Sequence, residues 1–112
     1  MDFIKYEDFA KVEFRIGKIV EAGLVVGSEK LLKFKVDFGE ELGTKNVFSG
    51  IAKYYSPEEL LDKKTVFVVN IEPKKIMGEL SEAMIFGADD FANGIMSVLL
   101  LDKDVPVGAK VF

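Results

Sequence analysis

The stretch Val12-Glu13-Phe14-Arg15-Ile16-Gly17-Lys18-Ile19-Val20-Glu21-Ala22 decides how the rest of the chain is read. Apolar and charged side chains alternate at period two, the mark of a strand with one buried face. Val12, Phe14 and Ile16 share a side, and Glu13 and Arg15 take the other. At Gly17 the alternation slips, because the next apolar residue is Ile19. A lone glycine at such a slip predicts a β-bulge there and a sharp bend. A long strand bent in this way suits a small closed barrel.

The flanking sequence supplies the partners. Gly27-Ser28-Glu29 reads as a turn before Leu32-Lys33-Phe34-Lys35-Val36-Asp37-Phe38, the cleanest alternation in the chain, with Leu32, Phe34, Val36 and Phe38 inward. After a polar loop from Glu40 to Lys45 comes a third strand, Asn46 to Ile51. Ser56-Pro57-Glu58-Glu59-Leu60-Leu61 starts a short helix, with serine as N-cap and proline in the first turn. Val66 to Ile71 is apolar on both faces and reads as a buried central strand. A loop Lys74-Lys75-Ile76-Met77-Gly78 then leads to Ala83–Ala88, followed by Ile95–Leu101 and Lys110–Phe112. Upstream, Phe3, Tyr6 and Phe9 fit one side of a short helical turn or arm over about residues 1–10. Five strands with one short helix between the third and fourth give an all-β, five-stranded OB-fold barrel filling residues 1–112 as a single domain. A ferredoxin-like alternative needs two long helices that this chain does not offer.

Composition narrows the chemistry. Almost half of the 112 residues are apolar, ten of them phenylalanine, which excludes disorder. Cysteine and histidine are absent, so there is no disulfide scaffold, thiol nucleophile, Ser-His-Asp triad or histidine metal site. The expectation is a non-catalytic protein without a cofactor or metal. The N-terminus lacks the character of a signal peptide, and the apolar run Ile95–Leu101 is too short to span a bilayer. A soluble, cytoplasmic protein with no membrane association follows as the default.

The net charge of −4 argues against a nucleic-acid ligand, but phosphate binding needs local rather than average positive potential. Between Lys30 and Lys75 nine lysines face seven acids, whereas Glu79–Asp104 holds six acids and one lysine. Lys30, Lys33 and Lys35 straddle the start of the second strand. They read either as a ladder for a phosphate backbone or as the solvated side of an amphipathic strand. Ser49-Gly50 is either a place where backbone N–H groups approach a ligand or a barrel corner. Asn70, inside an apolar strand, is either a structural amide pinning the next loop or, with Ser81, part of a recognition pocket. Lys74-Lys75 is a candidate nucleic-acid contact or simply a charged loop tip. Met77 and Met84 flank a site or fill the core, with core favoured for Met84. Tyr54 and Tyr55 stand apart from the inward aromatics. Ile95, Val98, Leu99 and Leu100 exceed what a barrel this small can bury, so the extension over about residues 91–112 is expected to face a second copy in a homodimer.

On these residues the chain resembles a known family. Phe9-Ala10-Lys11-Val12-Glu13-Phe14-Arg15-Ile16-Gly17-Lys18-Ile19 is similar to the opening of the tRNA-binding domain family. Its members occur at the C-terminus of methionyl-tRNA synthetases, in the bacterial phenylalanyl-tRNA synthetase beta chain, in multisynthetase-complex cofactors and as free-standing dimers. Four further pieces follow in order: Glu29-Lys30-Leu31-Leu32 running into Val36-Asp37-Phe38-Gly39; Val47-Phe48-Ser49-Gly50-Ile51-Ala52; the helix with Asn70-Ile71-Glu72-Pro73-Lys74-Lys75; and Met77-Gly78-Glu79-Leu80-Ser81-Glu82-Ala83-Met84. The resemblance spans residues 9–112. It departs at Glu29 (usually aspartate), at Phe48 (usually basic) and at Ala83 (usually glycine).

The resemblance implies an RNA site built from Lys30, Lys33, Ser49, Gly50, Asn70, Lys74, Lys75, Ser81 and Met84. It implies tRNA as ligand, with a methionyl-tRNA synthetase catalytic chain as a possible partner. One branch of the family looks like small dimeric chaperones associated with protein export, which makes peptide binding the alternative.

Overall fold

The computed structural model describes residues 1–112. The central element is β1 (Phe14–Leu24), which serves two neighbours in succession. From Phe14 to Lys18 it pairs antiparallel with β4 (Lys64–Val68), and from Lys18 to Leu24 with β2 (Leu32–Asp37). β3 (Thr44–Ser49) joins β2, and the two-residue β7 (Met84–Ile85) joins β4. The sheet order is β3-β2-β1-β4-β7, the five-stranded antiparallel barrel expected. Between β3 and β4 lies the anticipated helix, the single turn α2 (Pro57–Leu60). Its capping box is in place, the Glu59 carboxylate accepting the Ser56 N–H at 2.7 Å. Leu60 is fully buried and closes one end of the core.

The bulge is not at Gly17. Register slips between Ile19 and Glu21, so Val20 is the extra residue, and Gly17 pairs regularly with Thr65. The apparent slip is a change of face. Arg15 lies opposite Phe67 and Gly17 opposite Thr65, and Phe67 and Thr65 are both fully buried, so the odd residues point inward. Phe14 and Ile16 look outward and are covered by other segments. The Phe14 ring sits 5.6 Å from Phe9 and 5.7 Å from Phe86, while the Ile16 backbone bonds to Gly108 and Ala109. Glycine is required at 17 because a Cβ there would lie 2.5 Å from Val36 Cγ1 and 2.6 Å from Phe38 Cε1. That space lets Phe38 pack edge-on against Phe67 at 5.2 Å. Around them Ile19, Leu32, Phe34, Val36 and Val47 complete the core, as the alternation of the second strand predicted.

Arg15 points inward at the barrel rim, and its burial is tolerated because the guanidinium nitrogens are all engaged. Nε donates to Glu13 at 2.8 Å, and Nη1 donates to Glu41 at 3.2 Å and to the Gly108 carbonyl at 3.1 Å. The bonds from Glu41 and then Glu13 raise the guanidinium further above its ordinary value, and the Arg15 bond holds Glu41 below the usual glutamate range. One side chain thereby ties β1 to the loop after β2 and to the C-terminal segment.

Two hairpins hang on the barrel. Lys74-Lys75-Ile76, expected in a loop, is the strand β5 (Lys74–Ile76), paired with β6 (Glu79–Ser81) around Met77 and Gly78. Both turn residues have positive φ, 52° and 85°, the geometry of a tight primed turn. Beyond β7 the chain breaks at Phe86 and starts the second hairpin, β8 (Gly87–Asp90) and β9 (Ile95–Val98). The last residues add an isolated bridge, Arg15 to Lys110, instead of a strand. The N-terminal turn α1 (Tyr6–Phe9) is exposed and reaches the barrel through Phe9 against Phe14. No helix is long and apolar enough to cross a membrane.

If Gly17 is kept small by the core, Gly17→Ala destabilises by at least about 1–3 kcal/mol through overpacking. Urea unfolding measures this, and a variant as stable as the parent would show that Val36 and Phe38 can move aside.

Candidate nucleic-acid interface

The outward face of β2 presents Lys33 and Lys35, and both ammonium groups are engaged. Lys33 Nζ lies 2.6 Å from Glu79 Oε1 on β6 and 5.8 Å above the ring of Phe48, its cross-strand neighbour on β3. Phe48 stands where the family usually has a basic residue, so an aromatic face lies under Lys33 in place of a further cation. Lys35 lies 3.5 Å from Glu21. Lys30, Lys74 and Lys75, by contrast, are exposed and form no ion pair.

Backbone contacts bring most of the predicted residues around this face. The Lys30 carbonyl accepts from Ala52 N–H at 3.0 Å, which sets Lys30 beside the Ser49-Gly50 corner; Ser49 itself pairs with Leu32. A Cβ at Gly50 would meet nothing within 4 Å, so packing does not demand glycine there. The β5–β6 hairpin flanks the same face: Lys74 pairs with Ser81, which in turn bonds Phe48. At its tip, Met77 comes within 3.3 Å of where a Cβ on Gly27 would lie. The loop before β2 and the hairpin before β7 therefore meet at the edge of the β2–β3 surface.

Ser81 and Asn70 have structural duties that spacing alone left open. Ser81 is 8% exposed, and its Oγ accepts the Phe48 N–H at 3.1 Å. Next to it, Glu82 accepts Asn46 N–H on its carboxylate and donates its own N–H to the Asn46 carbonyl, both at 2.8 Å. These bonds stitch β3 to the segment ahead of β7 and close the seam of the barrel. Asn70 is not inside a strand: it is exposed and lies beyond the end of β4. Its Oδ1 accepts from Glu13 N–H at 2.8 Å and its Nδ2 donates to the Lys11 carbonyl at 2.6 Å, extending the β1–β4 ladder with a side-chain amide. With Met84, exposed and not in the core, it lines a separate cleft of about 310 Å³ that also includes Val12, Val68 and Ile71.

The C-terminal extension divides. Ile95, Leu99 and Leu100 are 57%, 42% and 59% exposed, next to an exposed Phe91. Val98 belongs to the chain's own core at 6% exposed, with its N–H donated to Tyr55 Oη at 3.1 Å; this corrects its expected place in a dimer face. Tyr54 packs against Phe91 at 5.7 Å, so both tyrosines are tied to the extension. Sequence reading missed Glu79 and Glu82 as partners of this surface. Neither carries a signal in the sequence, because both contacts join residues more than thirty positions apart.

Comparisons with known proteins place these features in context. Residues 14–110 match the family model described as "Putative tRNA binding domain". The methionine–tRNA ligase of Caldanaerobacter subterraneus subsp. tengcongensis is 45% identical over 111 residues, covering 99% of this chain and 17% of the ligase. The chain thus spans about a sixth of that relative's length. Among solved structures, a MetRS related protein from Pyrococcus horikoshii superposes with TM-score 0.91 at 35% identity, covering 100% of both chains. The chaperone CsaA from Bacillus anthracis superposes with TM-score 0.87 at 32% identity, covering 99% of this chain and 100% of its own.

The seam bond of Ser81 gives a direct check. Ser81→Ala leaves a buried Phe48 N–H without its acceptor and costs about 1–3 kcal/mol, whereas Ser81→Thr retains most of the stability. Denaturant unfolding of both variants decides the point, and an unchanged midpoint for the alanine variant would refute it.

Proposed function

Because the chain belongs to the tRNA-binding domain family, we propose that it binds structured RNA, tRNA above all, on the surface around β2, β3 and the β5–β6 hairpin. The observation that carries this reading is the family match across the whole barrel, combined with an exposed Lys30 beside the Ser49-Gly50 corner and exposed Lys74 and Lys75 on the β5–β6 hairpin, none of them in an ion pair. Lys33 is tied to that hairpin through Glu79, and the Ser49-Gly50 corner offers backbone close to Lys30. Asn70 and Ser81 act as positioning residues, and Met84 contributes an apolar wall to the neighbouring cleft. The protein is a non-catalytic module of the cytoplasm, delivering tRNA to a methionyl-tRNA synthetase chain or acting beside one. Exposed stacking aromatics are few on this surface, which suits recognition of RNA shape and backbone over single-strand stacking.

Two copies associate through the exposed Ile95, Leu99 and Leu100, with Phe91 beside them, doubling the RNA footprint. Light scattering at micromolar concentration should give a dimer mass, and Leu100→Glu should return a monomer. A monomeric parent removes the dimer.

Peptide binding is the second reading. It is favoured by the likeness to a CsaA chaperone and by the cleft lined with Val12, Val68, Ile71 and Met84. Salt separates the two ligands. Binding to tRNA releases counterions and weakens steeply as salt rises, whereas apolar peptide burial does not. Replacing Lys30, Lys74 and Lys75 together with alanine should weaken tRNA binding by roughly tenfold or more. It should also flatten the salt slope by about 2–3, without unfolding the protein. A triple variant that binds tRNA like the parent would move the site elsewhere, and salt-insensitive binding of an unfolded polypeptide in place of tRNA would favour the chaperone.

A further inference from the structure

Lys33 stands in the middle of the proposed RNA surface, yet its ammonium is already held by a carboxylate 46 residues away in the chain. We infer that Glu79 is a built-in competitor for RNA phosphate, occupying Lys33 in the free protein and yielding it only to a ligand phosphate placed on the β2–β3 face. The inference deepens the RNA-binding reading and rests on it.

The chemistry of the exchange is simple. An ammonium has three donors and no acceptor, and a carboxylate oxygen and a phosphate oxygen satisfy it in the same way. The pair is tight, at 2.6 Å, but neither partner is buried: the side chains are 32% and 49% exposed. Water and ligand can reach both, and surface pairs of this kind shift an equilibrium only a few-fold. Lys33 also has a second hold. Its Nζ lies 5.8 Å from the centroid of Phe48, within cation–π range, so the ring keeps the ammonium on the face when the carboxylate leaves.

The hairpin is built to let go at this end. Glu79 directly follows the Met77-Gly78 turn, while the base of the hairpin is secured independently by Ser81 to Phe48 and by Glu82 to Asn46. Glu79 can release Lys33 without opening the barrel seam. Lys74 pairs with Ser81 at the secured base of the same hairpin, so that lysine keeps its place when Glu79 leaves. The result is selectivity. A polyanion gains Lys33 only if a phosphate reaches it in a pose better than that of the resident carboxylate. Loosely or diffusely charged ligands meet a surface that is already neutralised there.

A double-mutant cycle tests this, with tRNA titrated against the parent, Glu79→Gln, Lys33→Ala and the double variant at several salt concentrations. Glu79→Gln should tighten binding about 2–5-fold and steepen the salt slope by up to about one. In the Lys33→Ala background the same change should give no gain, because no ammonium is left to release. Equal tightening in both backgrounds would mean that Glu79 acts only through net charge, and no tightening would mean it does not compete; either result overturns the inference. Inorganic tripolyphosphate, titrated in parallel, separates the two claims. If the parent fails to bind tRNA at any salt, the RNA reading falls. The competitor stands or falls on whether Glu79→Gln binds tripolyphosphate more tightly than the parent while the double variant binds it no more tightly than Lys33→Ala.

Discussion

A single strand has to satisfy two neighbours on opposite sides, and the architecture follows from how β1 does it. Its first residues are committed to β4 and its last to β2, with Lys18 shared by both ladders. A strand held this way must turn through the angle between its partners. The turn is made by the extra residue Val20, which carries the inward face from Ile19 on to Ala22, opposite Phe34. The sheet curls because the strand does. Curling crowds the interior, and the missing side chain at Gly17 makes room for Phe38 against Phe67. Above that contact Arg15 caps the barrel, satisfied by two carboxylates and a carbonyl, so a charged group sits at the rim without an unpaired donor.

Closure then fixes the surface proposed to bind RNA. The free edge of β3 would leave N–H groups unpaired. The chain meets them with side chains as well as backbone, Ser81 reaching Phe48 and Glu82 reaching Asn46. These two residues end the β5–β6 hairpin, so sealing the barrel also lays that hairpin along the outer face of β2 and β3. The placement of Lys74, Lys75 and Glu79 near Lys33 is a consequence of the seam. Stability and the proposed ligand surface here share the same few bonds, and the Ser81 hydroxyl faces the protein.

Much of this was legible from one dimension, and the failures have physical causes. The alternation from Leu32 to Phe38 gave β2 and its inward face correctly, and the serine, proline and glutamates from Ser56 to Glu59 gave α2. The sequence around Gly17 misleads because a strand that swaps its apolar residues from one covered face to the other looks, in sequence, like a strand with an insertion. The β5–β6 hairpin was hidden because Met77 adopts a positive φ that methionine rarely takes, so no turn signal preceded Gly78. Apolar neighbours make Asn70 look like part of a strand, but the strand ends at Val68 and the amide bonds to main chain across from it. Val98 looked like one more surplus aliphatic, yet the hairpin turns it inward while Leu99 and Leu100 remain outside.

The pairing of charges was the least legible feature, because it depends on separations of tens of residues. Net charge and windowed charge treat every lysine alike. In the folded chain they are not alike: Lys11, Lys33, Lys35 and Lys64 each face a carboxylate, whereas Lys30, Lys74 and Lys75 do not. A phosphate backbone responds to the uncommitted ammonium groups at short range and, beyond a Debye length of about 8 Å, hardly at all to acids elsewhere on the molecule. An overall charge of −4 is therefore compatible with a polyanion ligand, provided the acids lie off the binding surface or can be displaced from it. The relevant variable is which carboxylates sit within reach of the surface lysines, and in this barrel that is decided by the hairpin that the seam holds in place.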